Sequence, residues 1–205
     1  YRDNILNVYQ KIFLVVRIFL VIELYNLKNT EININYYLSK EPKMYPKYSK
    51  NYLGSREINS GLTSHGNISK IYIYRLEEIE KLTIHELLHA LKIDFDLFTS
   101  SLFSNKYSEL YKCRFNISNN TKILINESYV ESSAFILNTI LNSYILNIPY
   151  YKIYNDEIKF SILQCNKILK FYKIRNIHNF YSKVTCYNDN KNWVEKTSVL
   201  CYFLF

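Results

Sequence analysis

The 205-residue sequence holds three glycines, three prolines, one methionine and one tryptophan. No internal repeat is visible, and a hydrophobic content of 48% with 21% charged residues reads as globular and not disordered. Its four cysteines, at 113, 165, 186 and 201, include no C-x-x-C pair. That spacing argues against a zinc ribbon or a disulfide framework and points to a reducing compartment. Cys165 falls on an apolar helical stripe, as a core thiol would. Long apolar runs are also missing. The longest, Ile12 to Ile22, contains Arg17 and is too short to span a bilayer. No small-residue cleavage site follows it, so the expectation is a cytoplasmic protein, not a secreted one. The chain begins at Tyr1, as a piece of a longer product would.

Asn, Ile, Lys, Tyr and Leu dominate, the residues that AT-rich codons favour. The formal charge of +8 therefore says little by itself. Its densest cluster, from Lys152 to Lys183, is spaced as a solvated face and not as a phosphate-binding stripe, so nucleic acid is not the expected partner.

In chain order, residues 3–26 predict a buried helix that breaks toward a strand near 18–24. Residues 32–38 alternate as a strand, and 40–55 read as a loop. A hairpin follows, with strands at 57–63 and 68–74 around the turn at 64–67. Arg75 to Glu78 opens a helix with acids in its first turn, ending near 92–96. Residues 98–122 read as a loop with a short helix. Further helices are expected at about 127–146 and 157–173, the latter with Ile158, Ile162, Cys165, Leu169 and Tyr172 on one stripe. A turn at 188–192 and a final element at 193–205, helix or strand, complete the chain.

Only four histidines are present, and two stand in His85-Glu86-Leu-Leu-His89. On a helix, positions i and i+4 share a face, which lets two neutral imidazoles hold one Zn²⁺ at about 2.0–2.1 Å. Glu86, rotated off that face, would flank the ion and act as a general base. Catalytic zinc sites use three protein ligands, so a third is needed. Glu127 and Glu131 are i and i+4 on the next strong helix. One would bind the metal while the other accepts the outer N–H of a ligand histidine.

His85-Glu86-x-x-His89 followed by Asn126-Glu127-x-x-x-Glu131 resembles the gluzincins, the thermolysin-like zinc peptidases. The resemblance implies Glu127 as third ligand and Glu131, where an Asp is usual, as the acid behind a histidine. Three further stretches resemble metallopeptidase-like proteins of nucleocytoplasmic large DNA viruses. They are Glu57-Ile-Asn-Ser-Gly-Leu-Thr63, Ile71-Tyr-Ile-Tyr-Arg-Leu-Glu-Glu78 and Phe160-Ser-Ile-Leu-Gln-x-x-Lys-Ile-Leu-Lys170. On that likeness the protein would act in the infected-cell cytoplasm or the virion. Gluzincins also supply a His or Tyr that stabilises the oxyanion. No motif marks it here, and His178, Tyr129 and Tyr202 are candidates. His65, in the turn, reads as incidental.

The reading is an α+β, zincin-like fold. Residues 1–96 form an α/β lobe with a small twisted sheet, an edge hairpin and the helix of His85 and His89. Residues 97–205 form a mainly helical lobe bringing the third ligand. One Zn²⁺ per chain and a peptide or protein substrate are expected, with no membrane span. The rivals are a zincin-like fold kept as a non-catalytic binding or structural module, and a basic nucleic-acid-binding protein with an accidental motif.

Overall fold

The computed structural model describes residues 6–26, 31–44, 53–94, 101–115 and 123–173. Its elements are α1 (Val8–Leu24), β1 (Ile32–Ser39), α2 (Ser55–Ile58), β2 (Gly61–Ser64), β3 (Ser69–Arg75), α3 (Ile79–Ala90), α4 (Ser101–Arg114), α5 (Ile125–Leu146) and α6 (Tyr150–Phe171). This is an α+β arrangement: a three-stranded mixed sheet packed against helices, with further helices following it.

The sheet runs β1-β3-β2, with β1 parallel to β3 and β2 antiparallel to it. The expected hairpin is present but shorter. Residues 55–58 form a single helical turn, where the Glu57 carboxylate accepts the Gly54 N–H and so favours a turn over a strand.

At the centre lies α3. Ile84, Leu87 and Leu88 are buried against Ile71 and Ile73 of β3, Val21 of α1, and Val130 and Ala134 of α5. The helix starts later than Arg75 because Glu78 takes a left-handed conformation (φ 58°) and serves as its N-cap. It ends in a Schellman cap: Ile93 N–H donates to the Leu88 carbonyl and Lys92 N–H to that of His89. Lys92, at φ 58°, occupies the left-handed position that glycine usually takes.

Helix α1 continues through Leu24 without breaking into a strand. A capping box between Asn7 and Gln10 starts it. Only one stripe is buried (Leu14, Arg17 and Val21), while Ile12, Val15 and Phe19 are exposed, so the expectation of a fully buried helix is corrected. Arg17, the charge inside the longest apolar run, is fully buried. It pairs with Glu80 of α3 and with Asn138 and Asn142 of α5, tying three helices together.

Three other boundaries move. Residues 101–114 form a full helix where a loop with a short helix was expected, and α5 begins at Ile125. Helix α6 starts at Tyr150, directly after Pro149, because proline suits the entrance of a helix as well as the end of one. On α6, Leu169 is buried and packs with Phe115, Ile123 and Cys165, whereas Ile162 faces outward. Cys113 is disulfide-bonded, which the wide spacing of the cysteines did not indicate, and Cys165 is free. Spacing along the chain says little about approach in space. Lys152, Lys159, Lys167 and Lys170 are exposed on α6, and Lys173 is exposed just after it. Among the described residues no helix is long and apolar enough to cross a membrane. The elements expected at 188–192 and 193–205, with Cys186 and Cys201, lie outside the described residues.

Candidate metal centre

Three donor atoms converge on one point between α3 and α5. His85 Nε2 and His89 Nε2 stand 3.2 Å apart, one helical turn from each other on α3. Glu127 Oε2, from the first turn of α5, lies 3.3 Å from His89 Nε2 and 3.5 Å from His85 Nε2. A tetrahedral ion with bonds of about 2.0–2.1 Å requires donor separations of about 3.3 Å. The triangle therefore matches one face of such a tetrahedron. His85, His89 and Glu127 could hold a metal ion.

Each histidine is braced from behind. His85 Nδ1 is 2.9 Å from Glu131 Oε2, and the other oxygen of Glu131 accepts from Lys81 Nζ at 2.6 Å. His89 Nδ1 is 3.0 Å from Asp94 Oδ2, which also accepts from the Asn126 side-chain amide at 3.0 Å. With a carboxylate facing each Nδ1, that nitrogen carries a hydrogen, so it is Nε2 that gives up its proton and turns a lone pair toward the centre when a metal binds. Glu131 thus lies where one of the two glutamates was expected, against the outer nitrogen of a histidine.

Lys81, Asp94 and Asn126 were not singled out from sequence. Asn126 had a signal, being the residue before Glu127 in the quoted motif. Asp94 had none, since the cap that folds it back to His89 turns on a lysine.

The electrostatics favour positive charge at the centre. Burial works against charging His85, yet hydrogen bonds to Glu127 and Glu131 outweigh it and push its pKa up to about 10. His89 is likewise penalised by burial but raised by Asp94 and Glu127, to about 9. Burial would raise Glu127, but the two histidines hold it far below the usual carboxylate range. Without a metal, protons gather where a cation would be held; the donor set attracts positive charge.

Glu86 sits beside this triangle. It is buried, which pushes its carboxyl upward, while His85 and the Thr63 hydroxyl pull the other way. Thr63 Oγ1 on β2 is 2.7 Å from Glu86 Oε2. Gly61, at the start of β2, is pressed against the same carboxylate: a Cβ there would fall 2.7 Å from Glu86 Oε1. A cavity of about 230 Å³ opens on this side, lined by Gly61, Lys81, His85, Glu86, Glu131 and Phe160, among others. The other expected residues lie elsewhere. Tyr129 packs on the main core and His65 is exposed in the β2–β3 turn. His178 and Tyr202 are outside the described residues.

No protein-family model matches the chain, and no solved structure matches it. One curated protein is similar: over 129 residues the chain is 32% identical to the uncharacterized protein R210 of Acanthamoeba polyphaga mimivirus, covering 60% of this chain. The matched segment spans about a third (32%) of that viral protein's length. The likeness is to a viral protein whose name states no activity.

Proposed function

We propose that this chain is a zinc-dependent peptidase with a zincin-like fold. His85, His89 and Glu127 hold the metal, and Glu86 serves as general base. The observation that carries this reading is the triangle of donors, with edges of 3.2, 3.3 and 3.5 Å. Two imidazole nitrogens and one carboxylate oxygen at tetrahedral spacing suit Zn²⁺ better than Mg²⁺ or Ca²⁺, which favour more oxygens and higher coordination. A zinc ion there would polarise a carbonyl and acidify a water.

The chain's own residues do the rest. Glu86 takes a proton from the attacking water and hands it to the leaving amine, so the peptide C–N bond breaks as the new C–O bond forms. Burial pushes its carboxyl upward, the direction that makes a carboxylate a better proton acceptor.

Substrate alignment falls to β2, an edge of the sheet among the described residues. Tyr74 N–H donates to the Ser60 carbonyl, and Leu62 pairs with Tyr72. Antiparallel alternation then turns the backbone groups of Gly61 and Thr63 toward the open edge. An extended peptide adding there would run past Glu86. In this reading residues 1–96 supply the base and both histidines, and 97–205 supply Glu127. Metal analysis of purified protein tests it directly. About one zinc per chain and peptide cleavage that a chelator abolishes are expected; a metal-free protein that cleaves peptides equally well would overturn it.

A further inference from the structure

We infer that Lys81 is a positioning residue for the metal site, acting through Glu131 on His85. This rests on the metal reading above and concerns a residue outside the donor triangle. Lys81 and His85 are one turn apart on α3, and Glu131 reaches across from α5 to meet both. Its carboxylate is divided between them: Oε1 accepts from Lys81 Nζ at 2.6 Å, and Oε2 faces His85 Nδ1 at 2.9 Å. A carboxylate held at one oxygen can swing about its last torsion; held at both, it cannot. Lys81 therefore sets the angle at which Glu131 meets the imidazole, and with it the direction of the Nε2 lone pair.

Charge supports the same role. Glu127, Glu131 and Asp94 surround the two histidines, and Lys81 offsets Glu131 at hydrogen-bonding distance in a part-buried setting. An ion pair of this kind is strongest where solvent is scarce, and both side chains are largely buried, at 20% and 16% exposure. Lys81 is also 4.0 Å from Glu78, which is shared with Lys43, and Glu157 acts on it electrostatically. The two braces differ. His89 relies on Asp94, whose partner is the neutral Asn126 amide, whereas His85 relies on an acid whose partner is a cation.

The test is zinc affinity measured by chelator competition, with no turnover needed. Lys81→Met should weaken zinc binding about 10-fold or more, the scale expected for loss of a partner behind a ligand histidine. Lys81→Arg, which restores charge and donors, should recover most of it. Lys81→Gln, which keeps a neutral donor, should fall between. The double variant Lys81→Met/Glu131→Gln should bind no more weakly than Glu131→Gln alone, since Lys81 acts only through Glu131. In the zinc-loaded protein the His85 Nδ1–H proton resonance should shift and exchange faster in Lys81→Met. Wild-type affinity in both Lys81→Met and Lys81→Gln, or additive losses in the double variant, would overturn the inference. A wild-type protein that takes up no zinc would instead remove the metal reading on which it stands.

Discussion

The Thr63 hydroxyl on β2 reaches two oxygens of Glu86 on α3, the carboxylate Oε2 at 2.7 Å and the main-chain carbonyl at 2.9 Å. One hydroxyl has one proton to give, and an ionised carboxylate is the stronger acceptor. At the other oxygen, Gly61 leaves room that no larger residue could leave, because a Cβ would stand 2.7 Å from Oε1. β2 thus constrains Glu86 at both oxygens, by a hydrogen bond and by the absence of a methyl group.

Thr63→Val keeps the shape and removes the donor. A hydrogen bond to a charged group is worth about 1.5–3 kcal/mol. Peptide hydrolysis should therefore fall about 10–100-fold while zinc affinity stays near wild type, and Thr63→Ser should stay close to wild type. Gly61→Ala should also lower turnover, by displacing Glu86. Steady-state kinetics beside a zinc titration separates these effects, and a matching fall in zinc affinity would mean that Thr63 supports the fold instead.

Glu86→Gln preserves size and removes the proposed base. The variant should keep its zinc and its thermal midpoint yet lose hydrolysis about 10²–10⁴-fold. A fold kept as a binding module would have no turnover to lose. Undiminished cleavage by a zinc-replete Glu86→Gln protein would end the proposed mechanism.

The ligands and their braces should rank differently in zinc titrations. His85→Ala, His89→Ala and Glu127→Ala each remove a donor and should leave no stoichiometric zinc. Asp94→Ala and Glu131→Ala leave the donors in place and should weaken binding about 10–100-fold. If Glu131→Ala cost more than Glu127→Ala, the third ligand would have to be Glu131.

The histidines also predict a pH dependence. In the metal-free protein their folded pKa values lie above the unfolded value near 6.5, at about 10 for His85 and about 9 for His89. A raised folded pKa contributes stability that is complete below about pH 6.5 and is lost as pH rises toward 9–10. Zinc competes with those protons, so its affinity should rise over the same interval. The gap in melting temperature between zinc-loaded and metal-free protein should therefore widen from pH 6.5 to 9. Scanning calorimetry of both forms checks it, and a constant gap would count against proton competition at the site.

What could be read from residue order alone was local. The 3.6-residue period places His85 and His89 on one face and Glu86 beside it, whatever surrounds the helix. Alternation at 32–38, and the turn-rich break between two strand-like runs, similarly announced β1 and the β2–β3 pair. The tertiary structure decided what depends on approach between distant segments. Gly61 and Thr63 could be seen as strand residues, but only the packing of β2 against α3 shows that they hold Glu86. Arg17 looked like an interruption in an apolar helix until Glu80, Asn138 and Asn142 closed around it. Asp94 reaches His89 because the chain reverses at Lys92, and a lysine at a left-handed position leaves no mark in the sequence as a glycine would. Helical period is a property of the backbone and repeats wherever the residues allow it. Which carboxylate meets which imidazole is set by the packing of α5 on α3, and that comes from burial summed over the whole core.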